Sequence, residues 1–141
     1  MNQKIHLTIT GCQSDETSES SVTTHSARGE YFEKNGCCYF FYEEAPSDGN
    51  SVIKNRIKLK DTVLELTKRG GVNTRMVFES GKEYLTDYAT PYGILKMGIS
   101  TRSLEVFRAE SQLKIRIDYS LTSESIPLSE CTLTILAVSA S

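Results

Sequence analysis

Apolar and polar residues alternate with a period of two almost from one end of the chain to the other. Ile5, Leu7 and Ile9 alternate with Lys4, His6 and Thr8, and Ile53, Ile57 and Leu59 with Lys54, Arg56, Lys58 and Lys60. Leu113, Ile115, Ile117, Tyr119 and Leu121 alternate with Lys114, Arg116, Asp118 and Ser120. In a strand, successive side chains point to opposite faces, so each pattern predicts a strand with one buried and one wet face, as antiparallel sheets have. No window shows a capped helical stripe. The nearest, Leu104–Gln112, reads equally well as a strand. About ten strand segments, divided by Gly, Asn, Asp, Ser and Pro, form the pattern of an all-β domain.

The turns set the register. Asn35-Gly36 is the favoured type I′ pair and joins Gly29–Lys34 to Cys37–Tyr42 in a tight hairpin. A two-residue loop at Asp61-Thr62 sets Leu59 opposite Leu64 and Ile57 opposite Leu66, with Lys58 facing Glu65 on the wet side. A three-residue loop, Gly70 to Val72, pairs Leu66 with Met76 and Leu64 with Phe78. The segments Ser14–Ser21 and Ala45–Ser51 read as longer loops. Consecutive hairpins build a meander, and a long meander curls closed to remove its edges. The expected product is an antiparallel up-and-down β-barrel of about eight to ten strands, one domain over residues 1–141.

Composition narrows the function classes. A chain of 141 residues buries roughly 70% of its unfolded surface, enough for one core. The net charge of −2 argues against a general nucleic-acid binder, which needs a basic excess to displace counterions. The start, MNQKIHLTITG, has no apolar signal region, and no apolar run approaches the ~20 residues of a membrane span. A cytoplasmic setting is expected, with Cys12, Cys37, Cys38 and Cys131 as thiols. None falls in a C-x-x-C, so neither a metal site nor a cofactor is expected.

The stretch GEYFEKNGCCYFFYEE, Gly29–Glu44, is the richest in candidate chemistry. Cys37 and Cys38 are neighbours in a strand and point to opposite faces, so they cannot share a metal and read as small apolar fillers. The same rule separates Tyr39 and Phe41 from Phe40 and Tyr42. The hairpin register adds Phe32 to the first pair and Tyr31 to the second. Both faces are apolar, so one lines the barrel interior and the other is covered. Phe32, Tyr39 and Phe41 are expected inside. Arg28 and Glu43 share their face, as a rim salt bridge or as groups orienting the polar end of a ligand near a barrel mouth. Tyr31, Phe40 and Tyr42 are then expected outside, covered by a segment of the chain or by a homodimer contact.

Other candidates are weaker. His6 and His25 sit among small or polar residues on separate strands and read as surface histidines. Glu43-Glu44 alternate faces and make a poor acid–base pair. The row Lys54, Arg56, Lys58, Lys60 could track phosphates, but a water-exposed strand looks the same. Gly70-Gly71 is a hairpin turn and opens no phosphate-binding helix.

From Tyr88 the chain reads YATPYGILKMGISTRSL, with Thr90-Pro91-Tyr92-Gly93 as a turn that launches a strand exposing Leu95, Met97 and Ile99 on one side. With the aromatic hairpin, LTKRGGVNTRMVFESG and LKIRIDYSL, this resembles the YwiB-like family of small bacterial proteins, in order and over nearly the whole chain. The departure is at Cys37-Cys38, where that family leads one to expect larger apolar or aromatic residues. The resemblance implies a calycin-like, lipocalin-type barrel of unknown function in a bacterial cytoplasm, with no catalytic residues to carry over. The leading expectation is a non-catalytic binder of a small, partly apolar or amphipathic ligand, walled by Arg28, Phe32, Tyr39, Phe41 and Glu43. An interaction module working through an aromatic face is the alternative. A hydrolase or isomerase is the least favoured class, and neither nucleic acid nor membrane is an expected partner.

Overall fold

A computed structural model describes residues 2–14, 20–45, 52–70, 73–90, 93–124 and 126–140. Ten strands follow one another: β1 (Asn2–Ser14), β2 (Ser20–Lys34), β3 (Cys37–Glu44), β4 (Ile53–Lys60), β5 (Val63–Arg69), β6 (Thr74–Glu79), β7 (Glu83–Thr90), β8 (Gly93–Arg108), β9 (Gln112–Ser123) and β10 (Ile126–Ser139). They form one antiparallel sheet in the order β6-β5-β4-β3-β2-β1-β10-β9-β8-β7. Each strand pairs with its neighbours in sequence except β6 with β7, and β1 also pairs with β10, from Ile5 opposite Ser139 to Ser14 opposite Glu130. The seam of this up-and-down barrel therefore falls in mid-chain, between β6 and β7. It is nearly closed by single contacts: Thr86 Oγ1 donates to the Arg75 carbonyl at 2.7 Å, Gly81 N to the Thr101 carbonyl at 2.8 Å, and Leu104 N to Ser80 Oγ at 3.1 Å. No helix among the described residues is long and apolar enough to cross a membrane.

The short turns do what their residues dictate. Asn35 and Gly36 hold positive φ, 53° and 78°, the two left-handed positions of a type I′ turn. Across Asp61-Thr62, Leu59 faces Leu64, Ile57 faces Leu66 and Lys58 faces Glu65. Beyond it Leu66 faces Met76 and Leu64 faces Phe78. The segment Leu104–Gln112 is the end of β8, a turn, and the first residue of β9. These turns and that at Ser80-Gly81 crowd one end of the barrel, here termed the hairpin end. The last residues of β1, β3, β5, β7 and β9 lie at the other end, here termed the loop end. The loops expected at Ser14–Ser21, Ala45–Ser51, Gly70–Val72 and Pro91-Tyr92 lie wholly or partly outside the described residues.

The barrel is filled. Leu7, Phe40, Ile57, Leu59, Leu64, Phe78, Ile99, Ile115, Ile117 and Ile135 are all below 2% exposed or close to it and meet across the axis. Each contributes roughly 1.5–3 kcal/mol of burial. This packing corrects the expected orientation of β3. Cys38, Phe40 and Tyr42 point inward with Tyr31, whereas Phe32, Tyr39 and Phe41 point outward. The cause is the pairing with β4: Phe40 lies opposite Ile57 and Cys38 opposite Leu59, while Tyr39 and Phe41 lie opposite Lys58 and Arg56. Directly paired residues share a face, so the one apolar row of β4 takes the second face of β3 inside. Gly29 helps this corner pack. A Cβ there would stand 2.5 Å from the Phe41 carbonyl oxygen and 3.1 Å from Leu7 Cδ1.

Candidate functional site

Inward-facing side chains turn polar at the hairpin end. Tyr31 and Glu33 continue the inner row of β2, Cys38 begins that of β3, and Arg108 ends that of β8. The Tyr31 hydroxyl donates to Glu33 Oε1 at 2.6 Å and lies 3.3 Å from Cys38 Sγ. Arg108 Nη2 reaches the same sulfur at 3.9 Å, across 70 residues of sequence. Burial first, then the contacts with Cys38 and Glu33, push the Tyr31 hydroxyl far above the ordinary tyrosine value, so it remains a donor at any physiological pH. On the other wall Gln3 Nε2 donates to Ser139 Oγ at 2.8 Å. Between the two walls opens a hollow of about 230 Å³ with an apolar floor of Ile5, Phe40, Leu113 and Ala137. Arg108 and Glu33 also border a second hollow, beside the Asn35-Gly36 turn.

The family profile described as "Domain of unknown function (DUF1934)" matches residues 7–135. The chain belongs to this family. The crystal structure of the ywiB protein from Bacillus subtilis superimposes on the DUF1934 barrel with a TM-score of 0.85, over 99% of this chain and 94% of that one. The two are 21% identical, so the likeness is one of fold. No curated protein matches the chain.

The loop end of the DUF1934 barrel has its own inward polar group. Glu44 Oε1 accepts from Lys68 Nζ at 2.7 Å and from Asn55 Nδ2 at 3.0 Å. Burial alone would raise the Glu44 carboxyl; Lys68, Asn55 and the nearby His25 outweigh it and hold the carboxyl below its ordinary value. Asn55 is 2% exposed, and its Oδ1 has no partner among the described residues. His25 is exposed, its ring 6.2 Å from that of Tyr42, and His6 is exposed on the outer face. Neither histidine stands in a nucleophile–base arrangement among the described residues.

The five residues expected to wall a ligand are brought together, but on the outside. Phe32, Tyr39 and Phe41 stack with centroids 5.1–6.4 Å apart and planes within 18° of parallel. Arg28 and Glu43 are exposed beside them, and no ion pair joins the two among the described residues. They line no barrel interior, because β3 presents its other face there. Sequence reasoning missed Gln3, Glu33, Cys38 and Arg108 as a group. Local pattern carries no signal for them, since four strands from both ends and the middle of the chain meet only when the barrel closes. Cys37, on the outer face, and Cys38, in the core, do point apart as strand geometry requires.

Proposed function

We propose that this barrel binds a small amphipathic molecule at its hairpin-end mouth and performs no chemistry on it. The observation that carries the reading is the hollow over Ile5, Phe40, Leu113 and Ala137, rimmed by Gln3, Tyr31, Glu33, Arg108 and Ser139. An apolar floor with a few convergent polar groups is the usual make-up of a ligand site. Its 230 Å³ falls below the roughly 300 Å³ at which ordinary ligand pockets begin, so the occupant is small. The buried core side chains that meet across the axis favour the mouth over a deeper site. Arg108 suits an anionic or amide head group, Glu33 suits an attached N–H donor, and the floor takes a short apolar tail. No nucleophile–base pair stands over that floor, which favours binding over catalysis.

The test is a thermal-shift screen of small carboxylates, amides and amino acids against the purified protein, with native mass spectrometry of protein taken from its own host. A true ligand at a hundredfold its Kd adds about 2.7 kcal/mol to stability. Arg108→Gln should abolish that gain while leaving the unliganded melting temperature nearly unchanged, since Arg108 is exposed. A bare native mass together with no stabilising compound would reject the reading.

A further inference from the structure

We infer that the outward face of β2–β6 is a docking surface for single-stranded nucleic acid, with Phe32, Tyr39 and Phe41 as the base platform and the β4 row as the phosphate rail. The net charge of −2 hides a segregation set by which face of β2–β6 points outward. On the outward faces of β2 to β6, eight lysines and arginines stand against four glutamates, a local excess of four positive charges. Lys54, Arg56, Lys58 and Lys60 project from alternate positions of β4, about 6.7 Å apart along the strand, matching the step of an extended nucleic-acid backbone. Glu65 is engaged by Arg56 at 3.3 Å and by Arg75 at 2.9 Å. Lys54, Lys58 and Lys60 make no ion pair among the described residues.

The rings distinguish this face from a merely solvated one. Tyr39 lies directly opposite Lys58, Phe41 opposite Arg56, and Phe32 opposite Tyr39. Tyr39 and Phe41 therefore sit one strand away from the cation row, at about 4.8 Å, and Phe32 extends the nearly parallel cluster one strand further, onto β2. A polynucleotide laid along β4 would place its phosphates on the row and its bases over the rings, the combination that single-strand binders use. A duplex keeps its bases stacked inside and gains nothing from the rings. A second copy of this chain would set positive charge against positive charge in a two-fold contact, and an acidic protein would leave the aromatics without a planar partner.

Fluorescence anisotropy tests the assignment with labelled 12-nucleotide mixed-sequence RNA and DNA strands, the corresponding duplex, and polyglutamate as competitor. Saturable single-strand binding is expected, with log K falling against log salt at a slope of about −3 for four contacts. Lys54→Gln with Lys58→Gln should roughly halve that slope. Phe41→Leu should weaken binding about tenfold and leave the slope unchanged. A strand carrying 2-aminopurine, whose emission falls on stacking, checks the platform in the unmodified protein should Phe41→Leu fail to fold. The RNA and DNA arms tell which sugar is preferred. No saturable binding at low salt, equal affinity for duplex, unquenched 2-aminopurine, or displacement by polyglutamate at equal charge would each overturn the proposal, the last in favour of an acidic protein partner.

Discussion

Phe40 and Phe41 are adjacent, chemically identical and on opposite sides of the sheet, so an aspartate at each position separates inside from outside. Phe40 is fully buried, its ring 5.0 Å from that of Tyr31. Phe40→Asp removes a packed aromatic, which costs about 3–5 kcal/mol. The new carboxyl has no partner in that part of the core. Staying neutral at pH 7, when the unfolded chain ionises near 3.9, costs up to about 4 kcal/mol more. A total of about 7–9 kcal/mol lies within the whole stability of an ordinary domain, about 5–15 kcal/mol. The variant is expected to be unfolded or nearly so at pH 7 and to regain structure towards pH 4, where neutrality is free. Phe41→Asp loses stacking on Phe32 but gains water and Arg56 directly opposite. It should cost about 2 kcal/mol, a drop in Tm of about 7 °C for a chain of 141 residues. Far-ultraviolet circular dichroism with thermal and urea melts at pH 7 and pH 4 measures both. A folded Phe40→Asp beside an unfolded Phe41→Asp would mean that the sheet faces the other way.

Gly29→Ala should cost about 2–3 kcal/mol in a urea melt, because its Cβ would strike the Phe41 carbonyl inside a ladder that cannot part. Gly11→Ala, whose Cβ would meet only Thr23 Oγ1 at 3.5 Å, should stay within about 0.5 kcal/mol of wild type. Lys68→Met removes the cation that keeps the Glu44 carboxyl below its ordinary value. A depressed carboxylate stabilises above its unfolded pKa and loses that contribution as pH falls through its folded pKa. The stability difference between wild type and Lys68→Met should thus be largest near pH 7 and close below about pH 4; a pH-independent difference would show that the ion pair is not its source. In native protein only Cys12 should react quickly with a thiol reagent, since Cys37, Cys38 and Cys131 are buried and burial raises the Cys131 thiol. Denaturant should release all four cysteines.

Strand content, hairpin register and barrel class are determined by local sequence, for reasons that act over a few residues. A two-residue turn such as Asn35-Gly36 or Asp61-Thr62 leaves no freedom of parity, so Leu59 and Leu64 fall on one face as soon as the turn is placed. The orientation of β3 was beyond that reach. Both of its faces are apolar, and Ala45–Val52 joins it to β4 by a connection long enough to allow either parity, so only the observed pairing of Phe40 with Ile57 decides which aromatics enter the core. The β4 row was the available clue, because its lysines and Arg56 admit a single inner face. The mouth formed by Gln3, Tyr31, Glu33, Cys38 and Arg108 exists only in the closed barrel, because it depends on strands far apart in sequence lying about 4.8 Å apart in space, which alternation within one strand does not encode. The concentration of positive charge on β2–β6 depends on which face of these consecutive strands the core takes inside.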